Sequence, residues 1–257
     1  MKNILLTVSY DGTDFCGWQR QNTCETGHPR TVQEELEKVL QKVLKQPVTA
    51  HGSGRTDSGV HARGQAVTIL SPIDSMKAEN YIPALNSLLP HDIRIMDAQE
   101  APEGFHARFS ATSRSYRYFI WCGKTPPADK MRYIWPIFRT PDIDRLNEMA
   151  SVLHGEQDFT TFSAAGDKSV SKSRYIEKAH FFFEGEMLVF EIEANAFLWR
   201  MVRSLTGTLI QFEREGRDAA YFREVLEKKE RKLAGMTAPA EGLFLWNVLF
   251  DGIRRAP

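Results

Sequence analysis

Apolar residues recur at two periods along the chain, and the switches between them outline its elements. "NILLTVSY" (3–10) reads as a first strand, closed by the turn "DGTD". "TVQEELEKVLQKVLK" (31–45) carries Val32, Leu36, Val39, Leu40, Val43 and Leu44 on one helical face. Thr31 and Glu34 have the spacing of a capping box, and Pro47 stops the helix. "VTAHGSGR" predicts a strand running into a glycine-rich loop, and "GQAVTIL" a strand leaving it. A helix near "AENYIPALNSLL" and a strand near "DIRIMDAQ" complete a first unit.

The same order then returns. "RSYRYFIWC" is a strand with Tyr116, Tyr118 and Ile120 alternating, and "PDIDRLNEMASVL" is a helix. "RYIEKAHFFFEG" and "EMLVFEIEAN" form a hairpin over Gly185. "FLWRMVRSLTGTLIQF" is an amphipathic helix with Phe197, Met201, Val202, Leu205 and Leu209 inward, and "LWNVLF" is a closing strand. Two rounds of strand, helix, strands, helix, strand predict two similar α+β halves, residues 1–105 and 106–257, with an interface between them. "GKTPPADK" is the one linker-like segment.

Composition narrows this little. At 257 residues the chain suits one large domain or two smaller ones. Lys+Arg 33 against Asp+Glu 33 gives no overall basic bias, but a nucleic-acid binder needs only a local basic face. Cys16, Cys24 and Cys122 are too few and scattered for a disulfide framework or a CxxC metal site, which leads us to expect reduced thiols and a cytoplasmic home. No stretch reaches transmembrane length.

The chemistry concentrates in "HGSGRTDSGVHARGQ" (51–65), where Gly52, Gly54, Gly59 and Gly64 surround one acid, Asp57. A phosphate cradle is disfavoured, because the acid stands where phosphate would lie and no Walker lysine follows. An aspartic protease needs two such carboxylates about 3 Å apart, and the chain has one "DSG". A solvated turn, with Asp57 capping backbone amides, is the bland reading. Against it, the glycines suggest backbone that something approaches closely. His51 and His61 have no ligand-spaced partners, so they read as loop or RNA-facing residues. The fourth reading, a lone acid acting on a nucleic acid held by Arg55 and Arg63, accounts for one carboxylate among cations.

Six segments carry a resemblance: "YDGTDFCGWQRQ", "GRTDSGVHARGQ", "FHARFSATSRSYRY", "DFTTFSAAG", "NAFLWRMVRSLTG" and "APAEGLFL". In that order they resemble the motifs of the tRNA pseudouridine synthase A family across nearly the whole chain. The resemblance implies two RRM-like halves, with mainly antiparallel sheets, helices packed on one side and an active cleft between the halves. It implies a cytoplasmic homodimer that isomerises uridine at positions 38, 39 and 40 of the tRNA anticodon stem-loop, with no metal, no organic cofactor and no membrane partner. By the same resemblance Asp57 stands at the catalytic aspartate, and Arg203 at the arginine paired with it. Tyr116 stands at the tyrosine that stacks on the uracil, Arg55 at the arginine that fills the place of the extruded base, and Leu243 at an apolar wall. Phe105, His106, Ala107, Arg108 and Phe109 match an RNA-contact segment. The pattern departs at Trp199 and Arg200, where histidines are common, at Ser115, where a base is common, and in the longer segment "NTCETGHPR" around Cys24.

The residues themselves leave alternatives open. By periodicity Arg203 is equally a solvated helix arginine, and by strand alternation Tyr116 is a sheet-face tyrosine. Arg108, Arg114 and Arg117 interleave with Phe105, Phe109, Tyr116 and Tyr118, as a backbone track for RNA would. Lys168, Lys172 and Arg174 form a second basic run, usually just a solvated face, which its glycine start also lets us read as a mobile RNA clamp. A non-catalytic RNA-binding protein on the same scaffold is the rival from another class.

Overall fold

The structure is a computed structural model that describes residues 1–21, 29–253 and 255. Cys24 and most of its longer segment therefore lie outside the described residues. The chain divides into two compact units, 1–111 with 244–251, and 112–243 with 252–257. The closing strand, read from sequence as part of the second half, thus packs with the first unit.

Unit 1 runs β1 (Lys2–Tyr10), α1 (Val32–Leu44), β2 (His51–Gly52), β3 (His61–Ser71), α2 (Tyr81–Asn86) and β4 (Ile93–Glu100). This is a βαββαβ order. β1 pairs antiparallel with both β3 and β4, and β2 pairs antiparallel with β3. β10 (Leu243–Leu249) returns to pair parallel with β3, Phe244 opposite His61. Ile4, Leu6 and Val8 of β1, Leu36 and Leu40 of α1 and Ile93 of β4 are fully buried, so the two periods read from sequence meet in one core.

α1 begins at Thr31, whose hydroxyl accepts from the Glu34 amide at 3.4 Å. The other half of the predicted box is diverted, since the Glu34 carboxylate lies 3.2 Å from Lys38. The helix ends on Lys45 in the left-handed region, before Pro47. β2 is shorter than "VTAHGSGR" predicts. The Ala50 amide donates to Glu37 Oε1 at 3.1 Å and its carbonyl accepts from Gln33 at 3.2 Å, so side chains of α1 satisfy backbone that would otherwise extend the ladder.

Unit 2 runs β5 (Ser113–Trp121), β6 (Trp135–Pro136), α3 (Ile143–Ser151), β7 (Gly155–Asp158), β8 (Ser173–Glu184), β9 (Met187–Ala194), α4 (Met201–Arg214) and α5 (Ala219–Glu227). Its antiparallel strands lie in the order β5-β9-β8-β7, with β6 parallel to β5. Mixed α+β architecture with mainly antiparallel pairing is as expected. Tyr116, Tyr118 and Ile120 are buried as their alternation requires, and Gly185 turns the hairpin at φ +63°. α4 starts later than predicted because Arg200 sits at φ +58°, a left-handed conformation that a helix cannot carry through. Phe197 therefore lies in the approach to the helix. α5 was not anticipated, although its Asp218 cap, accepting from the Tyr221 amide at 2.9 Å, is an ordinary start signal.

Candidate active site

Asp57 stands on the turn between β2 and β3, and its neighbours are fixed from three sides. Thr56 is buried. Its hydroxyl shares a 2.8 Å hydrogen bond with Tyr10 of β1, and its carbonyl accepts from the Trp18 amide at 3.2 Å. Beyond the acid, the Val60 amide donates to the Asp57 carbonyl at 3.2 Å and Gly59 takes φ +77°, closing a tight turn. The Gly59 amide and the Ser58 hydroxyl both donate to the Phe15 carbonyl, at 3.3 and 3.2 Å. On the entering side, Ser53 Oγ donates to Gln65 Oε1 at 2.6 Å, and Gln65 Nε2 donates to the Gly54 carbonyl at 2.8 Å. The result is a stiff turn presenting a half-buried Asp57, with Arg55 exposed two residues away.

Two of the four glycines here serve internal packing. A Cβ on Gly52 would meet the Trp18 ring at 2.6 Å, and one on Gly64 would meet the Trp246 carbonyl at 2.7 Å. Gly54 differs, for a Cβ there meets nothing within 4 Å.

His61 is fully buried, which overturns its reading as a loop or RNA-facing residue. Its Nδ1 accepts the Gly12 amide at 3.0 Å, and its ring stacks on Phe244 at 4.5 Å. The glycine loop ends on this core residue because β3 begins earlier than "GQAVTIL" suggests. His51 is exposed, 5.1 Å from the His106 ring.

The segment 105–109 divides between anchors and surface. Phe105 packs on Phe250 at 4.9 Å and its carbonyl accepts from Asn3 at 2.8 Å. Ala107 is fully buried, its amide donating to Thr68 at 3.2 Å. His106 lies 4.6 Å from Phe109, and the Arg108 guanidinium lies 5.7 Å over that exposed ring. Burial first, then the charges of His51 and Arg108, push the His106 pKa down, so this imidazole is neutral where an ordinary one begins to charge. Arg108 and Phe109 are the outward-facing members.

In unit 2 one short segment, Ala238–Leu243, organises several residues at once. Arg203, in the first turn of α4, donates through Nε to the Ala238 carbonyl at 2.8 Å, and its own carbonyl accepts the Ala238 amide at 3.0 Å. Tyr118 donates to the Pro239 carbonyl at 2.8 Å. Leu243 is buried where β10 begins, its amide bonded to Ala240 at 2.9 Å. Tyr116 is 9% exposed and meets Phe197 edge-on at 5.0 Å. The grip of Ala238 and Pro239, and the edge of Phe197, were not foreseen. Proline and alanine carry no side-chain chemistry, so nothing in the sequence marked their carbonyls as acceptors.

Two basic groupings change character. Tyr118 is fully buried, and Arg117 is held by Glu191 at 2.6 Å beside Phe182, so neither belongs to an open RNA track. Arg114 bonds the Asn195 carbonyl at 2.7 Å. In the second run, Arg174 is 4% exposed and Lys172 pairs with Asp167 at 2.5 Å. Asp167 also accepts the amides of Trp199 at 2.6 Å and Ser169 at 2.9 Å, fastening the loop that was read as a mobile clamp. Only Lys168 of the three is exposed. Cys122 is a free, buried thiol.

Among the described residues, no group of three or more His, Cys, Asp or Glu could hold a metal, and no helix is long and apolar enough to cross a membrane.

Residues 6–110 and 149–251 match a family described as tRNA pseudouridine synthase. A protein of Treponema denticola named tRNA pseudouridine synthase A is 58% identical over 100% of this chain and 96% of its own. Proteins of the same name from Treponema pallidum (strain Nichols) and Brachyspira hyodysenteriae are 52% and 40% identical, over 91% and 97% of this chain and 84% and 99% of theirs. Among solved structures, a chain of a Cbf5-Nop10-Gar1 complex aligns with a TM-score of 0.35 and 13% identity, over 93% of this chain and 47% of that one, too distant a superposition to bear on function. Family match and full-length identity together mean that the chain belongs to the tRNA pseudouridine synthase family.

Proposed function

We propose that this chain isomerises uridine to pseudouridine at positions 38, 39 and 40 of the tRNA anticodon stem-loop, with Asp57 as the essential carboxylate. The observation that carries the reading is the Asp57 turn: its neighbours are tied to β1, β3 and the 15–18 segment, yet the acid itself is half-exposed. Such a pre-set side chain suits catalysis, which gains from groups that need no reordering.

The reaction breaks the N1–C1′ bond, rotates the uracil and joins C5 to C1′. The C5 proton leaves and N1 gains one, so there is no net redox change. Asp57 assists glycosidic cleavage as nucleophile or base. Arg203 takes the role of the arginine that the family resemblance pairs with the acid, its own guanidinium steadied through Nε by the Ala238 carbonyl. Tyr116 offers a ring for stacking, worth about 1–3 kcal/mol per base, and a hydroxyl to take the C5 proton. Phe197 holds that ring edge-on. Leu243 lines the pocket. Arg55 occupies the gap left by the flipped base, offsetting a cost of a few kcal/mol. Arg108 and Phe109 are exposed and suited to RNA contact, with Phe105 and Ala107 as their anchors. The enzyme works as a cytoplasmic homodimer with no cofactor.

The test is an in vitro transcribed tRNA with uridines in the anticodon stem-loop, incubated with wild type and with Asp57→Ala, followed by mapping of pseudouridine. Product at 38 to 40 with wild type alone is expected. No product from a folded, tRNA-binding wild type points to a binding module, and product from Asp57→Ala removes Asp57 from the chemistry.

A further inference from the structure

Unit 2 carries a cavity of about 350 Å³ lined by Ala164, Ala165, Arg200, Ser204, Arg231 and Thr237. Its polar lining consists of guanidinium and hydroxyl groups, with no carboxylate. Other cations of unit 2 are paired: Arg139 with Glu213 at 2.5 Å, Lys172 with Asp167 at 2.5 Å, and Lys232 with Glu230 at 2.7 Å. Arg200 and Arg231 have no carboxylate partner among the described residues. Arg231 is nonetheless fixed, donating to Thr237 Oγ1 at 2.9 Å and to the Gly235 carbonyl at 3.5 Å. The Arg200 guanidinium rests 5.0 Å over the Trp199 ring.

Ser204 adds an independent sign. It is 1% exposed and its Oγ has no hydrogen-bond partner among the described residues. On the same helix, Thr206 and Thr208 close their hydroxyls on the carbonyls four residues back, at 2.8 and 2.7 Å. A buried hydroxyl without a partner costs stability, and its place in the wall of a cationic cavity gives it a reason to persist. Arg200 caps the start of α4, its carbonyl accepting the Ser204 amide at 2.9 Å, whereas Arg203 lies about 100° from Ser204 around the axis. The cavity therefore uses a different face of the helix from Arg203.

We propose that this cavity is a phosphate subsite that takes one phosphodiester of bound RNA between Arg200 and Arg231, with Ser204 and Thr237 completing the oxygen contacts. Unpaired guanidinium forks and hydroxyls are the donor set that phosphate oxygens require. The volume exceeds a phosphate and admits its attached ribose. The RNA half of the proposal rests on the function proposed above; the anion half does not.

Binding of a labelled tRNA transcript is measured by anisotropy from low to moderate salt, for wild type, Arg200→Gln, Arg231→Gln, Arg231→Lys and Ser204→Ala, with thermal melts of each. Each Arg→Gln change weakens binding about tenfold and lowers the slope of log K against log salt by roughly 0.7–0.9, as expected for one lost phosphate contact. Arg231→Lys restores the slope without the full affinity, because a point charge replaces the fork. Ser204→Ala weakens binding a few-fold at unchanged slope. Wild-type affinity and slope in both Gln variants overturn the proposal. If Arg231→Gln melts early, Arg200→Gln and Ser204→Ala carry the test. Calorimetry with inorganic phosphate separates the sources: phosphate binding lost in the variants, with tRNA affinity unmoved, overturns RNA as the ligand. Binding is read without turnover, so absence of pseudouridine would refute the proposed function and leave the slopes to judge this site.

Discussion

Two glycines in the Asp57 loop, two residues apart, respond oppositely to the same added methyl. In Gly52→Ala the new Cβ falls 2.6 Å from Trp18 Cε2. That ring is 2% exposed and has no open side to move into. Overpacking of this kind costs about 1–3 kcal/mol. At roughly 2–4 °C per kcal/mol for a chain of this size, the melting temperature falls by about 2–12 °C. The Trp18 amide also holds the Thr56 carbonyl next to Asp57, so a displaced Trp18 disturbs the acid and lowers kcat as well.

Gly54→Ala meets nothing within 4 Å, and Gly54 lies outside the left-handed region. Its effect on stability stays within about 0.5 kcal/mol, the range of surface changes, or is slightly favourable because the unfolded chain loses freedom. If RNA approaches this backbone closely, the methyl obstructs it, and kcat/KM falls about tenfold, or about 1.4 kcal/mol. The assay pairs a thermal melt with single-turnover pseudouridine formation on a tRNA transcript. A Gly54→Ala protein that melts as early as Gly52→Ala would refute the packing assignment. One that melts and turns over like wild type would refute close approach of the substrate at Gly54.

Tyr10→Phe removes the 2.8 Å bond to Thr56 and is expected to cost about 1–2 kcal/mol in urea unfolding, with kcat falling while tRNA affinity holds. Tyr118→Phe leaves the Pro239 carbonyl without that donor, and since the phenol is fully buried, its pKa pushed up by burial, the loss appears in stability at every pH from 6 to 9. Burial pushes the Asp167 carboxyl up, but Lys172 and the amides of Trp199 and Ser169 outweigh it and hold the group well below the usual carboxylate range. Its folded-state pKa is depressed, so its stabilisation is present above the ordinary value of 3.8 and fades as pH falls below it; the stability gap between wild type and Asp167→Asn, read by thermal melts, is constant from pH 7 to 5 and narrows below 4.

What sequence alone revealed depended on whether side chains or backbone did the organising. Period-2 and period-3.6 patterns follow from burial of side chains, and β1, α1, β5 and the β8–β9 hairpin are legible for that reason. β7 (Gly155–Asp158) has no apolar residue and pairs with β8 through its ladder, so no apolar pattern announces it. The late start of α4 hangs on the backbone of Arg200, and the apolar spacing of Phe197 mimics a turn that is absent. The candidate site divides the same way. Asp57 and Arg203 stand out as charges, but what steadies them is carbonyls and amides: the Phe15 and Thr56 carbonyls on one, the Ala238 carbonyl on the other. Every residue owns such a carbonyl, so no composition or spacing distinguishes the one that matters. The basic residues show the converse error. Arg117, Lys172 and Arg174 carry the charge an RNA track would need, but local carboxylates or burial had already claimed them. A positive charge in sequence is a candidate contact only until its partners are known. By that standard Arg200 and Arg231, which no basic run in the sequence singled out, are the stronger candidates.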